Sequence, residues 1–247
     1  MDFLLFNIGN THTQGVYSDA AGNFSAPPAE VETAAWMSDL SLLPKMPQNC
    51  RAWVSCVVPE ARRILSTSAL YSNLYWVDAA SAHLAGLDFS KVDTSTLGAD
   101  RIANAASLMY SHTLPAANFD CGTAITLEIV LDNGVFAGGA IMPGRKLMRK
   151  SLACGTAALP ELPLNVPVMD TPGVNTLQAL ALGIDRGAVG MVRELMQVAA
   201  SAGAEKMVVS GGDAEFFADA LPQLDRAGKE FTLRGIYFIA AKHAEKE

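Results

Sequence analysis

The chain opens on an apolar run, Phe3-Leu4-Leu5-Phe6, that gives way at once to turn-forming and hydroxyl residues, Asn7-Ile8-Gly9-Asn10-Thr11. Val16-Tyr17 resumes a strand pattern and 18–22 turn again, so the opening reads as strand, glycine turn, strand, turn. The same order returns at mid-chain. Residues 117–119 lead into Asp120-Cys121-Gly122-Thr123-Ala124, and 125–131 alternate in the manner of a strand. Asp132-Asn133-Gly134 is a hairpin signal, because Asn and Gly tolerate the positive φ angles of a tight turn, and 135–139 follow as the next strand. Both units are headed Asn/Asp-x-Gly, which predicts a divergent internal duplication.

Between and after these units the apolar spacing turns helical. Helices are predicted from 98 to about 109, over 146–152 behind Pro143-Gly144, and from an Asn175-Thr176 cap to about 198. In the last of these, Gly183, Gly187 and Gly190 are expected to be points of close approach. Strand 207–209 runs through the turn Ser210-Gly211-Gly212-Asp213 into a helix over 214–220. Alternating strands and helices mean α/β. Pro115 marks a boundary near 111–116, dividing the chain into lobes at 1–113 and 114–247; the Pro-rich stretches 26–29 and 159–167 are loops.

Composition narrows the field. Of 247 residues half are hydrophobic and 17% charged, enough to bury a large core. A net charge of −7 and no basic stripe argue against nucleic acid. No apolar stretch is long enough for a membrane span, and the N-terminus reads as a strand rather than a signal peptide. Cys50, Cys56, Cys121 and Cys154 form no C-x-x-C and read as mostly buried, reduced thiols of a cytoplasmic protein.

The candidate chemistry lies in the glycine turns. Glycine after a strand lets backbone N–H groups approach phosphate oxygens, and Thr11, Thr13, Thr123 and Thr126 add hydroxyl donors. Two such turns in duplicated units, with the turn at 210–213, suggest two phosphate grips and a third turn near an adenosine. His12 stands in the first grip as a nucleotide contact. Gly139 to Gly144 has the spacing of a phosphate loop, but Arg145-Lys146 follows and Pro143 removes a donor. Leu97-Gly98-Ala99-Asp100-Arg101 admits two readings. It is a solvated pair or cap, or else Asp100 takes a proton from a substrate hydroxyl and Arg101 holds a substrate carboxylate. Arg145, Lys146, Arg149 and Lys150 read as an exposed helix face.

Taken in order, Asn7-Ile8-Gly9-Asn10-Thr11, Ser55-Cys56-Val57-Val58-Pro59, the segment 97–101, the segment 120–124, the segment 138–144, Thr156-Ala157-Ala158-Leu159-Pro160 and Ser210-Gly211-Gly212-Asp213 resemble type III pantothenate kinases, a family that includes the Bvg accessory factors. The resemblance covers nearly the whole chain. It implies a duplicated actin-like (ribonuclease H-like) fold of two lobes with a nucleotide cleft between them, and a homodimer. It also implies ATP-dependent phosphorylation of pantothenate, the first step of coenzyme A synthesis, with Mg²⁺ and a monovalent cation, K⁺ or NH₄⁺. By position, Asp100 matches the general base, Gly98, Ala99, Asp100 and Arg101 the pantothenate-binding segment, and Thr176 a substrate-binding threonine whose plainer role is a helix cap. Asp120 matches the monovalent-cation ligand. Asn7, Gly9, Asn10, Thr11, His12 and Gln14 match the first phosphate loop, and Gly122, Thr123, Gly211 and Gly212 the other ATP contacts.

Two positions depart from the family. Asn7 stands where an Asp normally organises magnesium and its water, and keeps an acceptor oxygen without the charge. Lys91 stands where a Tyr is often found in the pocket wall. They motivate two alternatives to a working pantothenate kinase: a catalytically impaired nucleotide- or pantothenate-binding relative with a regulatory role, and a kinase for another hydroxylated substrate. Asp213 and Glu128 are the acids that could stand in for the missing carboxylate.

Overall fold

Two five-stranded mixed sheets carry the chain, and each is built around one strand buried on both faces. In the computed structural model, which describes residues 2–47 and 49–246, β1 (Phe3–Ile8) is the first of these. Phe3 and Leu5 enter one core, while Leu4, Phe6 and Ile8 enter another, which is why its apolar run does not alternate. Beside it lie β2 (His12–Ser18), β3 (Ala29–Glu32), β4 (Arg51–Cys56) and β5 (Leu74–Trp76), in the order β3-β2-β1-β4-β5. The second sheet has β6 (Ala116–Cys121) at its centre, with β7 (Ala124–Val130), β8 (Phe136–Pro143), β9 (Lys206–Ser210) and β10 (Asp225–Arg226), in the order β10-β9-β6-β7-β8.

The two orders are the same order. In each, the centre strand pairs antiparallel with the next strand, that strand pairs antiparallel with the third, and the centre strand pairs parallel with the fourth. The expected duplication is present, and its register is exact enough to match side chains. Asn7 sits opposite Ser55, and Asp120 sits opposite Ser210.

Helices fill the layers. α1 (Thr33–Ser38) and α2 (Pro59–Thr67) pack on the outer face of the first sheet through Trp36, Ala61 and Leu65. Its inner face packs against α3 (Ala79–Leu84), α4 (Ala99–Ser111) and α8 (Phe231–Ala244). The outer face of the second sheet is covered by α6 (Thr176–Ser201) and α7 (Ala214–Ala220). Its inner face meets α4 with polar residues. Phe119, Cys121, Ile125, Leu127 and Ile129 go outward to the core, so the alternate positions Asn118, Asp120 and Glu128 face the other way.

The strands and helices expected at mid-chain are present, with α5 (Arg145–Gly155) following Gly144. The hairpin has positive φ at Asn133 and Gly134. Elsewhere the sequence reading needs correction. β1 runs through Asn7 and Ile8, so the first turn is only Gly9 to Thr11, and His12 and Gln14 lie on β2. Ala29, placed in a loop, begins β3. Gly183, Gly187 and Gly190 approach nothing, since a Cβ at each would meet open space. The basic face of α5 is half wrong. Lys146 and Lys150 are exposed, but Arg145 and Arg149 are 3% and 2% exposed because Asp185 of α6, also buried, accepts from both. Of the four free cysteines, Cys154 is exposed.

Candidate functional site

The β1–β2 and β6–β7 turns close on one another. Thr11 Oγ1 lies 3.0 Å from Thr123 Oγ1, across 112 residues of chain. Each turn is tied by its glycine, Gly9 N–H donating to His12 O at 3.0 Å and Gly122 N–H to Ala124 O at 2.9 Å. The first turn is braced further by Thr33, whose hydroxyl donates to Gly9 O at 2.7 Å and whose N–H donates to Thr11 O at 2.9 Å. Thr13 is no phosphate donor: it is buried, and its oxygen is shared with Thr33 and Trp36 Nε1. Asn10 and Thr11 share the turn, while His12 is exposed and Gln14 reaches away to Glu30.

The third turn joins them at Asp120. Gly211 has φ +89°, and a Cβ there would come within 2.5 Å of Asp120 Oδ1, so only glycine lets this turn press against the carboxylate. Asp213 N–H donates to Cys121 O at 2.9 Å, which fixes Gly211 and Gly212 beside β6.

Asp100 enters from α4. Gly98 is the N-cap, Ala99 the first helical residue, and Arg101 N–H donates to Asp100 Oδ1 at 2.8 Å. Burial pushes the Asp100 carboxyl up, against the lowering effect of that N–H and of the Arg101 charge. Asp120 is pushed up to about 6, by burial first; the Asn104 hydrogen bond opposes this and the Asp100 charge adds to it. Glu128 is pushed up to about 7, by burial first, with Arg101 lowering it and Asp120 raising it. Three carboxyls therefore share one region with a single guanidinium.

Sequence reasoning missed what holds this cluster. Arg101 Nε donates to Glu128 at 3.0 Å and its Nη2 to Leu127 O at 2.9 Å. Asn104 donates to Asp120 at 3.0 Å and to Glu128 at 3.4 Å, while Asn118 donates to Glu128 at 3.0 Å. The period-2 polar positions on β6 and β7 were the available signal. Neither stand-in acid is free, because Glu128 is committed to these donors and Asp213 accepts from Arg145 Nη1 at 2.8 Å. Thr176 is exposed at the start of α6, where Asn175 is the cap, and takes no part in these hydrogen bonds. Lys91 is exposed in the loop before α4.

The duplication exposes another residue. Ser55 matches Ser210, and Ser55 Oγ and Asn7 Oδ1 are buried without a hydrogen-bond partner among the described residues. These two orphaned oxygens stand at paired positions of β1 and β4 and are acceptors of the kind a hard cation or its waters uses. The acid excess around Asp120 suits a monovalent cation. No group of three or more His, Cys, Asp and Glu side chains forms a ready-made metal site among the described residues.

The family model described as type III pantothenate kinase matches residues 3–198. A type III pantothenate kinase of Rhodopirellula baltica is 38% identical over 130 residues, covering 51% of this chain and 47% of its own. One of Caulobacter vibrioides is 27% identical over 260 residues, covering 100% of each. Among solved structures, a Baf family protein from Campylobacter jejuni is similar with a TM-score of 0.66 at 21% identity, covering 98% of this chain and 99% of that one. The activator of the 2-hydroxyisocaproyl-CoA dehydratase from Clostridium difficile is similar with a TM-score of 0.57 at 11% identity, covering 100% and 97%. These likenesses agree with the duplicated actin-like fold of two lobes.

Proposed function

The chain belongs to the type III pantothenate kinase family, and on that premise we propose that it transfers the γ-phosphoryl group of ATP to the primary hydroxyl of pantothenate. The observation that carries the proposal is the meeting of both glycine turns at Thr11 and Thr123, beside the Asp100 and Asp120 region. With the Gly9 and Gly122 N–H groups closing their own turns, the backbone N–H groups of Asn10 and Thr123 and the two hydroxyls face the phosphates; Gly211 and Gly212 flank the nucleoside. Asp100 takes the hydroxyl proton as the oxygen–phosphorus bond forms, and ADP leaves with the electrons of the bond that breaks. A raised carboxyl is a better base for that step than an ordinary aspartate. Arg101 spends Nε and one Nη2 hydrogen on the protein, which leaves its outer edge for the pantothenate carboxylate. Asn7 and Ser55 would lie beside a magnesium ion bound with the phosphates, which would supply charge neutralisation, and Asp120 would hold a monovalent cation that would offset the neighbouring acids.

In this reading the lobes divide at 113/114 and the enzyme is cytoplasmic; among the described residues no helix is long and apolar enough to cross a membrane. The homodimer of the family would form on the groove of about 510 Å³ between α5 and α6, lined by Leu152, Leu180, Gly183 and Gly187. There the side-chain-free glycines meet a second copy instead of a neighbour in their own chain.

Asn7 favours a second reading, a weakened enzyme that binds nucleotide or pantothenate and acts by binding, because neither Glu128 nor Asp213 is free to replace the missing charge. ADP release with pantothenate, Mg²⁺ and K⁺ decides between them. The expected outcome is pantothenate-dependent turnover that Asp100→Asn lowers about 10²–10⁴-fold and Asn7→Asp raises. No pantothenate-dependent turnover in the unsubstituted protein sinks the pantothenate kinase reading.

A further inference from the structure

We infer that Glu128 is the positioning residue of this site, a buried carboxylate that aims Arg101 at the substrate anion and holds Asn104 against Asp120. The inference rests on the kinase reading above and assigns a role to a residue outside the matched motifs. Glu128 is fully buried on β7, beneath α4. Its oxygens accept from Arg101 Nε at 3.0 Å, Asn118 Nδ2 at 3.0 Å and Asn104 Nδ2 at 3.4 Å. A carboxylate offers about four acceptor sites, and three of them are taken here.

The two amides cannot turn over. Asn104 Oδ1 accepts from Thr232 at 2.8 Å, which forces its NH₂ toward Asp120 and Glu128. Asn118 Oδ1 accepts from Ser210 at 2.9 Å, which forces its NH₂ toward Glu128. Every donor therefore points inward at one acceptor-only group. Arg101 reaches from α4 onto β7, where Glu128 receives its Nε and Leu127 O takes the second bond on the same edge. With that edge occupied, the direction of the outer edge is set. Asn104, one helical turn from Arg101 on α4, passes the same constraint to Asp120.

The near-isosteric Glu128→Gln puts an NH₂ among donors, so at least one bond must break. We expect its pantothenate KM to rise about 10–100-fold while the ATP KM moves less than about threefold. In a double-mutant cycle with Arg101→Lys the losses should be less than additive. A crystal structure of Glu128→Gln should show the guanidinium swung away from its present position. An unchanged pantothenate KM, additive losses, or an undisplaced Arg101 each overturns the inference. If Glu128→Gln does not fold, Glu128→Asp keeps the charge and shortens the reach; a raised pantothenate KM supports the role and an unchanged one overturns it. Absence of pantothenate-dependent ADP release in the unsubstituted protein sinks the kinase reading alone, and the displacement of Arg101 still decides the role of Glu128.

Discussion

Asn7 and Asp120 occupy the same station in two copies of one sheet and differ by one charge. That difference was legible in the sequence, because both lie in short motifs at strand ends. The network behind Asp120 was not, since Asn104, Asn118 and Glu128 meet only after strands and a helix 10 to 24 residues apart are stacked. The network makes stability depend on pH. Burial lifts Glu128 from the ordinary 4.5 to about 7, and Asp120 moves up to about 6. A carboxyl with a raised folded-state pKa holds its proton better when folded. Its contribution is complete below the unfolded value and is lost as pH rises through the folded one. Urea unfolding without nucleotide or added K⁺ should therefore show stability falling from about pH 5 to about pH 8, with a flatter slope in Glu128→Gln. A rise over that window contradicts the assignment.

At the scale of elements, Arg145 locks three helices and a turn together. Its Nε reaches Asp185 of α6 at 2.9 Å, its Nη1 reaches Asp213 before α7 at 2.8 Å, and its guanidinium lies 3.4 Å from the centre of the Phe216 ring. On α5 it shares an i, i+4 face with Arg149, the spacing of an ordinary exposed basic face, and the buried partner lies 40 residues on. Sequence pattern could not separate the two cases. Arg145→Ala should cost about 3–5 kcal/mol by urea unfolding, while Lys146→Ala should stay within about 0.5 kcal/mol. α8 escaped notice for another reason: wedged between the first sheet and α4, it is apolar around much of its circumference and shows no stripe. Its contact with α4 is closest at Gly235, where a Cβ would lie 1.8 Å from Ala103 O. Gly235→Ala gains about 1 kcal/mol of helix propensity, yet overpacking of about 1–3 kcal/mol or more should win. A melting temperature at or above that of the unsubstituted protein would refute this.

For the whole molecule, the repeated strand order was legible because each copy carries its own turn signals, and the α/β class followed from it. Association was legible only through family resemblance, since a groove between helices leaves no periodic mark. On the proposed dimer, the unsubstituted protein should sediment as two copies and Leu152→Glu with Leu180→Glu as one, and a doubled mass in both would remove the α5–α6 groove as the interface. The position of α8 has a consequence for synthesis on the ribosome. The first sheet is complete in the nascent chain at Trp76, but the last of the three helices on its inner face begins at Phe231. At about 5–20 residues per second, the ribosome leaves that face waiting for roughly 8 to 30 seconds. The apolar side chains of that face that α8 covers, Phe3 and Leu5 among them, therefore stay unburied for longer than those of the second sheet.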